Sequence, residues 1–272
     1  MKIAQYYHKD QIRLGLIDDD FLIPTDFQGG MIDYIKNGNS LKPEGSPIPL
    51  GSIQFAPAVS NPPKIIAIGL NYLDHIEESR GEAPKNPLVF AKFSSSLIGH
   101  NEHITWDPGL TTKVDFEAEL AVVIGKTAYN CPESETMEKI FGYTCANDVT
   151  ARDLQFGDGQ WVRGKSLDTF CPLGPWIVTS DEIHDPHSLG IKCYLNGQIM
   201  QESNTSVMIF KLPQLISFLS KNFTLLPGDI ILTGTPHGVG SARNPAIYMK
   251  DGDEIVVEIE GIGRLANICK TL

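Results

Sequence analysis

Features that mark several other protein classes are missing from this chain of 272 residues. No apolar run approaches the roughly 20 residues that cross a membrane, and the N-terminus lacks the apolar segment of a signal peptide. The cysteines form no C-x-x-C pair, which favours reduced thiols over a disulfide framework or a zinc site. They are Cys131, Cys145, Cys171, Cys193 and Cys269. We therefore expect a cytoplasmic protein with no membrane partner.

Positive charge is also in short supply. The chain has 22 lysines and arginines against 33 aspartates and glutamates, which gives a net charge of -11. A nucleic-acid partner normally requires a basic patch, so we expect none. An anionic small substrate would in turn need a local cation, supplied either by a metal ion or by a few placed lysines and arginines.

The N-terminal part alternates short strand-like segments with turns. Residues 12–17 and 21–23 flank the turn Asp18-Asp-Asp20 and predict a hairpin, and residues 31–37 predict one short helix. A Pro-rich stretch from 43 to 63 contains several turn signals. We interpret residues 1–58 as a small N-terminal domain and residues 64–272 as the main domain.

Strand-like patterns dominate the main domain. Short helices are expected only at 72–79, 133–140, 150–155 and 212–219. Because the strands outnumber the helices and do not alternate with them, the chain is not a βαβ fold. The pattern favours a mostly β chain with short helices (α+β), whose main domain is a barrel or rolled sheet.

The acidic segment Asp115-Phe-Glu-Ala-Glu119 has a strand-like pattern. Side chains two apart on a strand point to the same face, so Glu117 and Glu119 project together while Phe116 points into a core. Asp148 follows the strand-like segment 142–147 and can join them. Three carboxylates repel one another unless a cation lies between them, and oxygen ligands suit a hard ion such as Mg²⁺ or Mn²⁺. A solvated acidic strand face is the alternative.

Residues 72–79 predict a short helix after a buried strand. Asn71 can cap this helix, with Asp74 at the third position of a capping box. His75 and Glu78 then share one helix face. A carboxylate bonded to an imidazole makes a general base that can deprotonate water, whereas a surface ion pair is the alternative.

Two further segments carry basic and polar candidates. Arg152 and Gln155 lie three apart on one predicted helix face and could bind a carboxylate or a developing oxyanion. Lys165 follows a glycine and lies among bulky residues, where it could stabilise an enolate or form a Schiff base. An exposed loop lysine is the alternative for Lys165.

A glycine-rich segment, residues 232–240, follows another strand. Its backbone N–H groups can approach an anion, and Thr235 is a candidate substrate contact. The segment lacks the spacing of a phosphate-binding loop and no helix follows it, so we reject nucleotide binding. The pairs His100/His103 and His184/His187 lie in loop-like segments and are interpreted as structural or solvated.

Taken in order, five of these segments resemble the fumarylacetoacetate hydrolase family. They are GLNYLDHIEE (69–78), DFEAELAVVIG (115–125), NDVTARDLQ (147–155), GKSLDTF (164–170) and TGTPHGVG (233–240). The resemblance covers about residues 64–270. Within the family, the chain resembles the smaller branch of acylpyruvases and 2-hydroxyhepta-2,4-diene-1,7-dioate isomerases. The resemblance implies a mixed β-roll catalytic domain, a small N-terminal domain and a homodimer.

The resemblance also implies roles for single residues. Glu117, Glu119 and Asp148 would hold one Mg²⁺ or Mn²⁺, the pair His75 and Glu78 would activate water, and Lys165 would lie near the reacting carbonyl. Arg152 and Gln155 match substrate-contacting positions. The larger fumarylacetoacetases carry a fourth acidic ligand seven residues before their catalytic histidine. Ile68 stands there in this chain, so three carboxylates and water are expected.

The leading hypothesis is a metal-dependent hydrolase that cleaves a carbon–carbon bond in a small anionic keto acid, a β-diketo acid of the acylpyruvate type. The metal would act as a Lewis acid, His75 would deprotonate the attacking water, and the metal and Lys165 would stabilise the leaving enolate. The same metal site suits oxaloacetate decarboxylation or a hydroxymuconate-type isomerisation. A Schiff-base lyase using Lys165, and a non-catalytic protein with a structural ion, are further alternatives.

Overall fold

The computed structural model describes residues 1–38, 40–79 and 81–272. Eighteen strands and five α-helices make up this part of the chain. The strands are β1 (Lys2–His8), β2 (Gln11–Asp18), β3 (Phe21–Pro24), β4 (Ile48–Pro49), β5 (Ile65–Gly69), β6 (Leu88–Lys92), β7 (Leu97–Ile98), β8 (His103–Trp106), β9 (Val114–Asp115), β10 (Ala118–Ile124), β11 (Ile140–Asn147), β12 (Thr150–Ala151), β13 (Cys171–Thr179), β14 (Gly190–Leu195), β15 (Gln198–Asn204), β16 (Ile230–Leu232), β17 (Glu254–Ile259) and β18 (Gly263–Thr271). The helices are α1 (Met31–Asn37), α2 (Leu73–Ser79), α3 (Arg152–Asp158), α4 (Val162–Lys165) and α5 (Leu212–Asn222). A mostly β chain with short helices is therefore confirmed.

The largest sheet is mixed and combines the N-terminal strands with strands of the main domain. Its order is β4-β3-β2-β1-β13-β11-β10-β16-β5-β6, with β7 paired to β13. Most neighbours are antiparallel, but β16 runs parallel to β5. The N-terminal strands join this sheet through the antiparallel pairing of β1 with β13. The boundary near residues 58–64 stays a prediction, and the N-terminal strands extend the sheet of the main domain.

A second, five-stranded sheet packs across the first. Its order is β15-β14-β17-β18-β8, and a single apolar core contains side chains from both sheets, such as Leu120 and Val122 of β10 with Ile191 and Val257. On the other face of β10, Ala121 and Val123 belong to a separate cluster that includes helix α1. Since alternate residues of a strand point to opposite faces, β10 is buried on both sides.

This two-sided burial corrects one alternative from the sequence. All seven residues of β10 are buried, so the acidic segment is no solvated strand face. Phe116, Ala118 and Leu120 lie in the inter-sheet core as expected. The carboxylates Glu117 and Glu119 are themselves buried, with exposed fractions of 6% and 1%, which requires that their charges be compensated.

The hairpin of β2 and β3 and helix α1 lie where the sequence predicts them. The helix expected at 133–140 is wrong: two 3₁₀ helices, Glu133–Glu135 and Met137–Lys139, stand there before β11 begins. The Lys139 carbonyl accepts N–H groups of Gly125 and Lys126 from the neighbouring strand end. Pairing with the sheet has overridden the local helical pattern.

Candidate active site

The ends of four neighbouring strands lie together at one end of the large sheet, and the predicted site is at this end. Strand β10 begins where its antiparallel neighbour β11 ends, with Ala118 opposite Asn147. On the other side β16 and β5 are parallel and end together, with Leu232 opposite Ala67. The segments that continue from these ends, which carry the acidic residues, helix α2 and the glycine-rich loop, therefore converge.

The three predicted metal ligands come together at this end of the sheet. One carboxylate oxygen from each of Glu117, Glu119 and Asp148 lies within 4.8 Å of the others. The backbone fixes their spacing, because the Asp148 N–H donates to the Glu117 carbonyl at 2.9 Å and the Glu117 N–H donates to Asn147 Oδ1 at 3.0 Å. The three carboxylates are buried, so they form a compact, water-poor anionic cluster.

Two buried cations from the helices after β12 partly neutralise this cluster. Lys165 Nζ lies 2.7 Å from both Glu117 Oε2 and Asp148 Oδ2, and Arg152 Nη2 lies 2.7 Å from Glu117 Oε1. Burial alone would raise the pKa of Glu117, but the charges of Lys165 and Arg152 outweigh it and hold that pKa below its ordinary value. Glu117 is therefore anionic in the folded protein.

Lys165 is no exposed loop lysine. It ends helix α4 and its side chain is 2% exposed, with Nζ 5.3 Å from the centre of the Phe90 ring. Burial acts to lower the pKa of Lys165, yet the neighbouring Asp148 and Glu117 raise it above the ordinary value. A Schiff base needs an uncharged amine, so these contacts favour a cationic role over a covalent one.

Glu119 is the least compensated of the three carboxylates. Its Oε2 accepts the Gly234 N–H at 2.7 Å. Burial, and then the like charges of Asp148 and Glu117, raise the pKa of Glu119 well above its ordinary value. A divalent cation among these oxygens would offset this repulsion, and an all-oxygen set suits a hard ion. The residues therefore fit a divalent metal, whose identity they do not select.

Sequence reasoning missed a second buried lysine. Lys92, at the end of β6, places Nζ 2.6 Å from Asp148 Oδ1 and also contacts the carbonyl of Lys165. Its side chain is fully buried. One oxygen of Asp148 thus faces Lys92 while the other faces Lys165. A buried lysine in a strand has no local sequence signal beyond its apolar neighbours, so only the fold reveals it.

The predicted dyad lies on helix α2, across from the carboxylate cluster. His75 Nδ1 is 3.2 Å from Glu78 Oε2, and the other oxygen of Glu78 accepts the Gly238 N–H at 2.8 Å. These contacts fix the orientation of the imidazole and leave Nε2 as its second reactive atom. Both side chains are less than one-fifth exposed.

In the structure the glycine-rich segment leaves the sheet after Leu232 and continues as a loop of residues 233–241. This loop does approach anions, and these anions are the protein's own carboxylates. Gly234 N–H donates to Glu119, Gly238 N–H to Glu78, and the N–H groups of Gly240 and Ser241 donate to Asp115 at 2.8 and 2.9 Å. Gly238 has φ of +94°, and a Cβ there would lie 2.3 Å from a backbone carbonyl. The loop therefore links the metal ligands, the dyad and the partner of Arg152.

Helix α2 is held against this loop through Asp74, which was predicted to be part of a capping box. Asp74 Oδ2 lies 3.0 Å from His237 Nδ1 and accepts the Ser203 hydroxyl at 2.5 Å. The predicted capping box is wrong, because Asn71 instead donates to the carbonyls of Thr233 and Phe210. Both side chains serve long-range contacts, which a local helix-start pattern does not distinguish from capping.

The three predicted substrate contacts line the same cavity but are already engaged. Arg152 donates from Nε to Asp115 at 2.8 Å and from Nη1 to Gln155 Oε1 at 3.0 Å. Thr235 Oγ1 accepts the amide of Gln201 at 2.9 Å. Their predicted roles in substrate binding stay predictions. In the structure, these side chains support the carboxylates of the cluster and the glycine-rich loop.

A cavity of about 780 Å³ joins these groups. It is lined on one side by Glu117 and Glu119 of the cluster and on another by His75 and Glu78, with Ile68, Phe90 and Trp161 as apolar walls. The Phe90 and Trp161 rings pack edge to face with centres 5.5 Å apart. The volume suits a small organic molecule, and such a ligand would lie between the carboxylate cluster and the imidazole of His75.

A family model for the fumarylacetoacetate (FAA) hydrolase C-terminal region matches residues 64–269. The chain belongs to the fumarylacetoacetate hydrolase family. It is 49% identical over 221 residues to the mitochondrial oxaloacetate tautomerase Fahd2a of Rattus norvegicus, covering 81% of this chain and 70% of that protein.

Solved structures of the family show the same fold over the whole chain. A fumarylacetoacetate hydrolase from psychrophilic Exiguobacterium antarcticum superposes with a TM-score of 0.91 at 35% identity, covering 100% of both chains. A 2-hydroxyhepta-2,4-diene-1,7-dioate isomerase from Mycobacterium marinum gives 0.84 at 32% identity, covering 100% of this chain and 98% of that one. The expected family, its smaller branch and its mixed β-roll fold are confirmed.

Family membership makes the protein an enzyme of this fold, while its reaction remains to be proposed. Hydrolases and isomerases both occur among its structural relatives. The described residues contain no helix long and apolar enough to cross a membrane. Because the rat relative is mitochondrial, the predicted cytoplasmic location is not confirmed and stays a prediction.

Proposed function

We propose that this enzyme interconverts the keto and enol forms of a small 2-oxo acid, with oxaloacetate as the substrate to test first. The observation that carries the proposal is the position of His75, which faces a carboxylate cluster across one cavity. The name of the rat relative supports the same reaction. This assignment replaces acylpyruvate hydrolysis as the leading hypothesis.

His75 would move the proton. Its Nδ1 contacts Glu78, so Nε2 is the atom that exchanges a proton with the substrate. In the keto-to-enol direction Nε2 takes a proton from C3, and the imidazolium then gives that proton to the oxygen on C2; in the reverse direction Nε2 takes the proton from the oxygen and returns it to C3. No carbon–carbon bond breaks and no water is consumed. Glu78 stabilises the imidazolium that forms transiently.

The cluster would bind the 2-oxo acid end of the substrate through a divalent cation held by Glu117, Glu119 and Asp148. When bound, Mg²⁺ or Mn²⁺ supplies Lewis-acid polarisation of the 2-oxo group. Lys165 and Arg152 keep the ligand carboxylates ordered and add positive charge beside the oxygen that becomes anionic. Charges that are already oriented before reaction cost little reorganisation.

Enol absorbance in the ultraviolet tests this proposal. Purified protein should accelerate enol-to-keto conversion of oxaloacetate with Mg²⁺ or Mn²⁺, and EDTA should remove the acceleration. His75→Gln should slow it by about 100-fold or more, whereas His184→Gln, which alters an exposed histidine, should leave it unchanged. Pyruvate as the main product would instead assign a decarboxylase, and full activity of His75→Gln would remove the proposed base.

Hydrolysis of an acylpyruvate is the second candidate, favoured by one observation. His75 and Glu78 form a dyad open to the cavity, and such a pair can deprotonate water as well as carbon. Acetylpyruvate with metal would then yield pyruvate and acetate in equal amounts. Turnover of acetylpyruvate that exceeds oxaloacetate tautomerisation in kcat/KM would make hydrolysis the primary activity.

We further propose that the protein is a homodimer with a separately bounded N-terminal segment, both from the family resemblance. Light scattering after size-exclusion chromatography would give about 60 kDa for a dimer, twice the 29.9 kDa of the chain. A monomer mass at micromolar concentration would contradict it. Proteolysis confined to residues 58–64 would support the domain boundary, while cleavage elsewhere first would oppose it.

A further inference from the structure

The polar groups that line the active-site cavity divide into engaged and unengaged sets. Ser79, Arg152, Lys165 and Thr235 each bond to a protein group. Within the described residues, the side chains of Lys113, Ser241 and Tyr248 line the cavity but form no hydrogen bond or ion pair. These three, called the rim set below, are the lining hydroxyl and ammonium groups left free for a ligand.

The rim set lies together on one side of the cavity. Backbone bonds join the segments that carry it: Met249 N–H donates to the Val114 carbonyl at 2.8 Å, and Ile247 N–H donates to the Gly240 carbonyl at 2.9 Å. Lys113, Ser241 and Tyr248 each lie one residue from these contacts. An ammonium and two hydroxyls therefore face one region of the cavity, although they come from three separate parts of the chain.

The rim set is adjacent to the carboxylate cluster. The Lys113 carbonyl accepts the Arg152 N–H at 2.9 Å, and the Ser241 N–H donates to Asp115, which also binds Arg152. Lys113 precedes Glu117 by four residues, so their backbones lie at most about 14 Å apart. A flexible lysine side chain and a short dicarboxylate together can span that separation.

Charge decides what such a set would bind. The buried cations Arg152 and Lys165 are paired with carboxylates of the cluster, whereas the exposed Lys113 forms no ion pair within the described residues. Asp153 also lines the cavity, but its oxygens accept hydrogen bonds from Thr111 Oγ1 at 2.6 Å and Thr112 N at 3.3 Å and none from Lys113. An ammonium with two hydroxyl donors matches a carboxylate, which accepts several hydrogen bonds at once.

We propose that Lys113, with Ser241 and Tyr248, binds the second carboxylate of the substrate and so selects dicarboxylic 2-oxo acids over monocarboxylic ones. This inference rests on the proposed function and narrows its substrate class. The 2-oxo acid end would lie at the cluster, the second carboxylate at the rim set, and the carbon between them toward His75. Lys113 is thus a specificity residue that takes no part in proton transfer.

A matched pair of ligands tests the inference, because 2-oxobutanoate carries a methyl group where oxaloacetate carries its second carboxylate. Lys113→Met should raise KM for oxaloacetate about tenfold and leave kcat within about twofold. Lys113→Arg should restore KM. Calorimetry with Mg²⁺ present should show weaker oxaloacetate binding to Lys113→Met and unchanged 2-oxobutanoate binding. Tyr248→Phe should have a smaller effect in the same direction.

The controls separate this inference from the proposed function. Lys36→Met, which removes an exposed lysine on helix α1, should change neither ligand's affinity. If wild-type protein tautomerises oxaloacetate while Lys113→Met retains its KM, the inference fails and the function stands. If turnover is absent, calorimetry still decides: equal affinities of wild type and variant, or no oxaloacetate binding at all, overturn the inference.

Discussion

The carboxylate cluster and helix α2 face the same cavity but are held in different ways. The cluster comes from the ends of sheet strands, is buried, and is fixed by ion pairs from Lys92, Arg152 and Lys165. Helix α2 has seven residues and is fixed by side-chain contacts to the loop 233–241 and to Ser203. Under the proposed function, substrate binding would depend on the buried core of the sheet, while proton transfer would depend on a short helix held by a few side-chain contacts.

This difference gives each region its own experimental signature. Changes in the cluster should alter metal binding first and turnover as a consequence. Changes in helix α2 or its attachment should alter turnover without altering metal binding. A substitution in helix α2 that altered both metal binding and turnover would show that the two regions are not separate in function. A substitution in the cluster that altered turnover alone would show the same.

The largest effect is expected from Glu119→Gln. Gln retains an oxygen for the Gly234 N–H but removes a charge, so Mn²⁺ affinity should fall by at least about 100-fold and turnover should be lost. Without metal, the unfolding temperature should not fall, since the repulsion that raises the pKa of Glu119 disappears. Electron paramagnetic resonance of free Mn²⁺ and thermal unfolding measure the two effects.

Glu138, an exposed carboxylate paired with Lys139, provides the control for that variant. Glu138→Gln should change neither Mn²⁺ affinity nor turnover. Wild-type Mn²⁺ affinity in Glu119→Gln would exclude this carboxylate as a ligand. A large fall in the metal-free unfolding temperature would show that its charge stabilises the fold.

A smaller effect, of about tenfold in kcat, is expected from His237→Ala. The change removes the contact to Asp74 at 3.0 Å, so helix α2 should hold His75 less accurately while KM and Mn²⁺ affinity remain. Hydrogen exchange should quicken in residues 73–79. His237→Asn, whose amide can replace the Nδ1 donor, should recover most of the rate.

Two results would contradict this role of His237. Exchange in helix α2 could stay unchanged while kcat falls, which would mean that His237 acts on the substrate directly. Alternatively, Mn²⁺ affinity and the unfolding temperature could fall together with kcat, which would mean that the contact supports the whole fold.

The smallest effect on turnover is expected outside the cavity, at His100, where the change should appear in acid stability instead. Burial lowers the pKa of His100 to about 4, and its Nδ1 accepts the Ala266 N–H. The unfolded chain takes up this proton near pH 6.5 while the folded chain does not. Stability should therefore be full above that pH and fall by up to about 3 kcal/mol as the pH drops toward 4.

His100→Asn offers an oxygen to the same N–H group and has no proton to gain. Urea unfolding at pH 7 and pH 4.5 should show a smaller acid loss of stability in this variant than in the wild type. Equal losses would mean that other groups account for the acid sensitivity. Turnover at pH 7 should be unchanged, because His100 lies away from the cavity.

The site could be predicted as far as local patterns carry chemistry. The spacing of Glu117 and Glu119 and the position of Asp148 predicted a carboxylate cluster that the fold does assemble. His75 and Glu78 were paired correctly from helical spacing. Both depend on contacts within a few residues or on strand ends, where sequence spacing sets geometry.

Contacts between distant segments could not be predicted in the same way. Lys92 reaches Asp148 across 56 positions, and Asp74 meets His237 across 163. Asp74 was predicted to complete a capping box with Asn71, because a capping carboxylate and a long-range acceptor cannot be distinguished from the local sequence. The targets of the glycine-rich loop were missed for the same reason: the anions were expected in a ligand and lie in the protein.

Proton exchange at C3 of oxaloacetate tests the central claim most directly, since it reports proton transfer without requiring any product. In D₂O with Mg²⁺, wild-type protein should catalyse deuterium incorporation at C3, seen by nuclear magnetic resonance, and His75→Gln should abolish this catalysis while binding Mn²⁺ as tightly as the wild type. Catalysed exchange that persists in His75→Gln would contradict the account, because another group would then move the proton.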